Sequence, residues 1–319
     1  MRGFLEKFPI SIFSITMGTL GTALLSLKVG LPYLNGLYLF WGITGTIIFV
    51  LSFLMYLLKV IFVPNAVYKE FMHPVSLQFF ATFTIGSMLV GKFLSYYYSW
   101  GGLLIFVFTV LHLLLTLMIM AQWVRQTHFE IHHMNPSWFI PIVGTVIGPL
   151  VGKDVLPIWF NIFLVSVGSF FYVVIGAILI YRIIFHHPLP DRLVPTFMIF
   201  IAPPSAIAIT ISYLLGVQSY LGIFFYGIAV FYLMLLLLLS DMFFKLRYEL
   251  SWWAYTFPIA IFGNATMVFS EVLPWLSWLG VVVYIVLNIV VFGLLFVTLA
   301  RLVNGKLFAE PTSKFPENG

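Results

Sequence analysis

The sequence predicts an all-α integral membrane protein: ten transmembrane helices forming five repeated helical hairpins, with the odd helices as an inner ring around a central pore. Three observations predict it. The chain is 62% hydrophobic and only 8% charged, where a soluble globular chain carries about 25% charged residues. Apolar runs long enough to cross a bilayer core recur from end to end. Interior prolines fall only in alternate runs. The whole chain, 1–319, reads as one transmembrane domain.

The runs lie at 8–28, 35–59, 74–97, 101–123, 136–152, 157–181, 193–215, 219–241, 251–272 and 276–300. Each is near the ~20 residues that a hydrocarbon core requires, and the fifth, with 17, is the shortest. The start "MRGFLEKFPI" has a charged end, but no small-residue cleavage site follows its apolar run. Residues 8–28 therefore read as a retained first span and not as a signal peptide.

Basic residues set the orientation. An even number of spans places both termini on one side, which then holds Arg2, Lys7, Lys59, Lys69, Arg125, Arg182, Arg192, Lys245, Arg247, Arg301, Lys306 and Lys314. The other side holds Lys28, Lys92 and Lys153. Twelve against three places both termini in the cytoplasm, for a multi-pass protein of the inner (cytoplasmic) membrane. The net charge of +5 is scattered between apolar runs, so the lipid bilayer, and no nucleic acid, is the expected partner. With no cysteine, disulfides and thiolate metal sites are excluded.

A repeat underlies the hairpins. Pro9, Pro74, Pro136 and Pro195 open odd spans at intervals of 65, 62 and 59 residues, the signature of a duplicated unit. Pro141, Pro149, Pro203, Pro204 and Pro258 fall inside odd spans. Lipid cannot satisfy the carbonyls such prolines free, so kinked helices belong where neighbours or a water-filled cavity can. Odd spans also carry the hydroxyls of Thr16, Thr19, Thr22, Thr82, Thr84 and Ser87. The even span reading "AVFYLMLLLLLS" suits a lipid-facing wall.

The segments 9–27, 75–91, 137–152, 193–220 and 250–270, assigned to the inner ring, contain no Asp, Glu, Lys, Arg or His. A proton- or sodium-coupled transporter places ionisable groups at mid-membrane, and an enzyme needs acid, base or ligand pairs. The chain is expected to be no enzyme and to hold no metal or cofactor. His112 is the one ionisable residue well inside a span, and it reads as a neutral packed histidine. The pairs at 132–133 and 186–187 read as solvated interfacial histidines. "NAT" at 264–266 matches a glycosylation acceptor but lies within a span. Asn264 either faces the pore or packs between helices. A neutral pore still favours anions through helix N-termini and through cations at its mouths, such as Lys92 and Lys153. Trp252, Trp253 and Tyr255 read as an interfacial belt.

The stretches "HPVSLQFFATFTIGSMLVG" (73–91), "NPSWFIPIVGTVIGPLVG" (135–152), "PTFMIFIAPPSAIAI" (195–209) and "WWAYTFPIAIFGNAT" (252–266), with "FSITMGTLG" (13–21) matching more loosely, carry a family resemblance over nearly the whole chain. The sequence resembles the tellurite-resistance/dicarboxylate transporter family, which includes bacterial tellurite-resistance proteins, fungal malate permeases and sulfite exporters, and plant guard-cell slow anion channels. It is most similar to the bacterial branch. The resemblance implies ten helices with the odd ones inside, a homotrimer with one pore per subunit, and a phenylalanine of the ninth span occluding each pore. Phe257 matches that position, with Pro258 as its support. Composition alone leaves Phe257 one of 35 phenylalanines. Two departures stand out: Thr16-Met17 where the family often has proline, and the double proline at 203–204. Candidate pore-lining residues are Thr16, Gly18, Thr82, Gly86, Gly144 and Asn264. The expected function is a gated channel for small monovalent anions, closed by Phe257. The alternative is a secondary carrier, with or without proton coupling, for C4-dicarboxylate, sulfite or tellurite.

Overall fold

The computed structural model describes residues 2–30, 35–127, 129–244 and 246–308. Lys245 and Lys314, two of the cations used above for orientation, lie outside the described residues. Every regular element among the described residues is helical. Ten α-helices form the body: α1 (Phe13–Val29), α2 (Asn35–Phe62), α3 (Phe80–Ser95), α4 (Gly101–Arg125), α5 (Phe139–Gly152), α6 (Ile158–Phe185), α7 (Ala202–Leu215), α8 (Tyr220–Leu238), α9 (Thr256–Phe269) and α10 (Leu276–Val303). The segment after α2, between the apolar runs 35–59 and 74–97, contains a short helix, Pro64–Met72. It starts on Pro64, where the missing N–H costs nothing.

Among the described residues, eight helices are long and apolar enough to cross a membrane. They do not include all ten expected spans. Pro136–Gly152 is apolar but short. The segment 250–269 falls outside the eight because Trp252, Trp253, Tyr255 and Asn264 lower its mean hydropathy.

Each odd helix is preceded by a 3-10 lead. Ile10–Ile12 runs into α1, Leu77–Phe79 into α3, Pro136–Trp138 into α5, Asp191–Ile201 into α7 and Leu250–Tyr255 into α9. The even helices have no such lead among the described residues. This changes the role of the prolines. Pro141, Pro203, Pro204 and Pro258 sit in the first turn of their α-helices, just after the lead. Among the described residues, only Pro149 is interior to an α-helix. A proline cannot donate to the carbonyl four residues back, and a 3-10 lead assigns that carbonyl to an earlier donor. In α7 the Ile199 carbonyl, which Pro203 would have served, accepts from the Ala202 N–H.

Burial separates two sets of helices. The spans containing α1, α3 and α7 are 78%, 72% and 78% buried, whereas those of α2, α4, α6, α8 and α10 are 22–39% buried. Leu114 and Leu117 on α4, Phe170 on α6, Phe231 and Leu237 on α8 and Phe296 on α10 are exposed, as lipid-facing side chains are. Each odd helix packs on the even helix that follows it. The odd helices also pack on one another in sequence, α1 on α3, α3 on α5, α5 on α7 and α7 on α9, and α9 packs back on α1.

A buried ion pair fixes the entry to α1. Lys59 is 2% exposed and Glu70 is 13% exposed, with Nζ 2.6 Å from Oε2. Lys59 Nζ also donates to the Phe8 carbonyl at 2.7 Å. The Ile10 N–H donates to Glu70 Oε1 at 2.6 Å, and the Tyr56 hydroxyl donates to Oε2 at 3.0 Å. The two charges therefore grip the backbone on both sides of Pro9. Breaking one partner of a buried pair costs about 3–5 kcal/mol, while replacing both with apolar residues costs much less. Glu70→Leu is accordingly expected to lower thermal stability in detergent strongly. The double variant Lys59→Met/Glu70→Leu is expected to recover part of the loss, and a double variant no more stable than the single one would show that the two residues do not act as a unit.

Candidate functional site

Where the 3-10 leads pass into α-helices, the odd helices enclose a cavity of about 40 Å³. Every odd helix or its lead contributes: Ser14 and Met17, Phe79, Thr82 and Ile85, Ile140 and Val143, Ile199 and Ala202, and Trp253, Ala254, Phe257 and Pro258. None of these side chains is ionisable at neutral pH. Both hydroxyls bond to their own helix, Ser14 to the Ser11 carbonyl at 2.7 Å and Thr82 to the Phe79 carbonyl at 2.6 Å. Phe257 is 5% exposed.

Two larger cavities flank the small one. At the N-terminal end of the odd helices, a space of about 540 Å³ is lined by Lys7, Ser11, His73, Ser76, Arg192, Glu249 and Ser251, among others. It shares Ser14, Phe79 and Ala254 with the small cavity. At the C-terminal end, about 310 Å³ is lined by Leu24, Leu27 and Lys28 of α1, Lys92 of α3, Leu150 and Val151 of α5, Tyr213 of α7 and Asn264 of α9. This cavity shares no residue with the small one. Ser14, Met17, Gly21, Leu24 and Lys28 recur at helical spacing, which puts them on one face of α1. Ser14 and Met17 line the small cavity, Leu24 and Lys28 line the far one, and the Phe257 ring meets α1 between them, at Gly21. A side chain at Gly21 would press on that ring and on Ala260.

The candidate residues divide accordingly. Phe257, Pro258 and Thr82 line the small cavity, and Asn264 lines the far one. Asn264 also donates to the Ala260 carbonyl at 2.8 Å. Pro141, Pro149, Pro203 and Pro204 are buried in the helix walls. Thr16, Gly18, Gly86 and Gly144 lie at helix contacts: Gly18 against Thr256, Gly86 against Thr16, and Gly144 against the His112 ring. His112 lies buried between three helices, its Nε2 2.8 Å from the Pro141 carbonyl and its Nδ1 2.7 Å from the Thr84 hydroxyl. A carbonyl only accepts, so Nε2 carries a proton. Trp253 does not join an interfacial belt. It is 0% exposed, and its indole N–H, which needs a partner once buried, donates to Thr298 Oγ1 at 3.0 Å. Among the paired histidines, His132 lies 3.2 Å from Glu130, and His133 Nδ1 accepts from the Glu130 N–H.

Sequence reading missed Ser14, Met17, Ile140, Val143 and Ala254 as lining residues, because aliphatic and small side chains on an inner helix look the same whether they face a cavity or a neighbour. It also passed over Tyr213, although the aromatic closes the last turn of an odd helix.

The chain matches the family model described as the SLAC1 voltage-dependent anion channel over residues 7–299. It belongs to that family. Within the family it is 24% identical to the uncharacterized transporter MJ0762 of Methanocaldococcus jannaschii, over 97% of this chain and 99% of that protein. It is 29% identical to the S-type anion channel SLAH3 of Arabidopsis thaliana, over 93% of this chain and 48% of that protein. It is also 29% identical to the guard cell S-type anion channel SLAC1 of the same plant, over 85% and 51% respectively. Eight membrane-length helices and SLAC1-family membership make the chain a multi-pass membrane protein from a family of anion channels and transporters.

The contact between Gly144 and His112 is testable. A Cβ at Gly144 would overlap the imidazole, displacing it from the Pro141 carbonyl. Gly144→Ala is expected to destabilise the protein by about 1–3 kcal/mol, the cost of overpacking or of a buried imidazole N–H left unpaired, since the Pro141 carbonyl keeps the Thr116 hydroxyl. Thermal unfolding of Gly144→Ala beside the larger-gap pair Gly144→Ala/His112→Ala checks it. Relief of the steric part in the double variant is the expected outcome.

Proposed function

We propose that the protein is a gated anion channel. Small monovalent anions pass down their gradient through a neutral central conduit, and Phe257 occludes it. The observation that carries this reading is that each of the five odd helices lends residues to both the small cavity and the far one, while the Phe257 ring meets Gly21 between them. The closed sequence of contacts from α1 through α9 and back to α1 supports an inner ring of odd helices, with the even helices outside as the returning arms of five hairpins. All ten α-helices then cross the membrane, the two shorter ones within the shelter of the others.

Selectivity in such a conduit follows from the balance between an ion's dehydration cost and weak dipolar coordination. Weakly hydrated anions pass more readily than strongly hydrated ones. Oriented by its basic residues, the protein sits in the cytoplasmic membrane with both termini and the 540 Å³ vestibule facing the cytoplasm. Exposed apolar faces on the even helices are available for lipid and for the homotrimer that the family resemblance implies.

The second reading is a secondary carrier for C4-dicarboxylate, sulfite or tellurite, and its support is the name of transporter given to the Methanocaldococcus jannaschii relative. The absence of ionisable side chains around the small cavity favours the channel, since a proton-coupled carrier needs a titratable relay.

Phe257→Ala in a planar bilayer or oocyte is expected to raise anion conductance at least about tenfold, equivalent to about 1.4 kcal/mol removed from the barrier. A variant that passes no more current than wild type sinks the plug. The reversal potential should follow the Nernst potential of the permeant anion and stay put as pH changes. A reversal potential that moves with pH would favour a proton-coupled carrier.

A further inference from the structure

Three lysines from three helices converge on the far cavity. Lys28 lies in the last turn of α1, Lys92 in the last turn of α3, and Lys153 caps the C-terminus of α5. The bland explanation is that each offsets the negative end of its helix dipole. It does not account for where the ammonium groups go. Among the described residues, none of the three donates a hydrogen bond to a helix-terminal carbonyl, and no carboxylate lies within 4.0 Å of any of them. Each instead sits over a phenol ring. Lys28 and Lys153 lie 5.8 and 4.6 Å from the centre of the Tyr213 ring, and Lys92 lies 5.1 Å from that of Tyr96. Burial pushes the Tyr96 phenol above its ordinary titration range, so that ring stays neutral beneath its cation.

Two like charges over one tyrosine repel each other, and both ammonium groups share the attraction of that single ring. The nearby negative groups are Asp154, which interacts electrostatically with Lys92, and Glu271, which with Asp154 acts on Tyr213. The arrangement has three cations, two more distant carboxylates, and an open space of about 310 Å³ with the Asn264 amide at its base.

We propose that this cavity is an anion-binding site and that it holds divalent oxyanions of the sulfate type more tightly than halides. Coulomb attraction doubles with the charge of the ligand, and one tetrahedral oxyanion presents enough acceptors to engage three ammonium groups together. The inference rests on the channel reading for its consequence: monovalent ions concentrate at this mouth and move on, while a divalent oxyanion lodges there and competes with them from this side only. The binding itself does not depend on conduction.

The test is equilibrium binding of radiolabelled sulfate to the purified full-length protein in detergent, read alongside single-sided sulfate block of the Phe257→Ala current. Lys28→Gln/Lys92→Gln/Lys153→Gln is expected to weaken sulfate binding at least about tenfold. Asp154→Asn removes the carboxylate beside Lys153 and is expected to tighten binding severalfold. Both effects should shrink as salt rises. Lys153 and Asp154 are exposed, so the single variants Lys153→Gln and Asp154→Asn keep the test valid if the triple variant fails to fold. Sulfate binding that is absent from wild type, or that does not change in opposite directions for lysine and Asp154 replacement, overturns the proposal. A silent Phe257→Ala channel with intact, charge-dependent sulfate binding would instead overturn the channel reading and leave this site standing.

Discussion

The closeness of α1 to α9 is the constraint on which the candidate gate depends. Gly18 faces Thr256 and Trp253, and Gly21 faces Ala260 and Phe257. Without the driving force that water gives to apolar association, helices in lipid are held together by close packing, and small residues permit the closest approach. A Cβ at either glycine would overlap or press on its partner on α9. The approach therefore sets where the α9 backbone lies, and with it the depth to which the Phe257 ring reaches toward α1. The Lys59–Glu70 clamp fixes the other end of the lever, because it holds the 3-10 lead from which α1 starts.

The hydroxyl groups of the odd helices do a different job from the one their abundance suggests. Thr19 bonds the Ile15 carbonyl, Thr22 the Gly18 carbonyl, Ser205 the Ile201 carbonyl and Thr210 the Ala206 carbonyl, all at 2.8–2.9 Å. Their protons are committed to their own backbone, as Ser and Thr do when water is absent. The small cavity is left with aliphatic and aromatic walls and two hydroxyl oxygens whose protons point elsewhere. Such a surface offers an ion little direct coordination, so in the proposed channel a single benzyl group would be an adequate barrier, because a narrow apolar constriction disfavours water as well as ions.

How much of this was legible in the sequence follows from the kind of signal each feature leaves. Eight of the ten apolar runs were legible as membrane-length helices among the described residues, because hydropathy over some twenty residues averages out local noise. The proline spacing marked the starts of four odd spans, at Pro9, Pro74, Pro136 and Pro195, and the structure gives each of the five odd helices a 3-10 lead. The lead itself was not legible. Pro141, Pro203, Pro204 and Pro258 looked like breaks within helices, since hydropathy runs unbroken across the junction where i→i+3 bonding becomes i→i+4. Trp253 looked like an interfacial aromatic because composition does not reveal that Thr298, 45 residues away, completes its hydrogen bond. For the same reason, glycines 18, 86 and 144 could not be told apart from pore-lining glycines. Helical spacing gives the face a residue shares, and only the neighbour decides what that face meets.

The parallel arrangement of the odd helices links these observations. Their N-termini gather around the small cavity and their C-termini around the far one. The partial positive charge of each N-terminus then falls where an anion would be most dehydrated, and no ionised side chain has to be buried there. The same alignment leaves the far mouth with the negative ends of the dipoles, which alone would repel an anion. Lys28, Lys92 and Lys153 stand at three of those five ends. α7 and α9 end without a basic residue, and the cations of the other three helices reach over Tyr213 and Tyr96 toward the shared space. In the proposed channel the dipoles would favour an anion at the constriction, and the lysines would offset the negative helix ends at the far mouth.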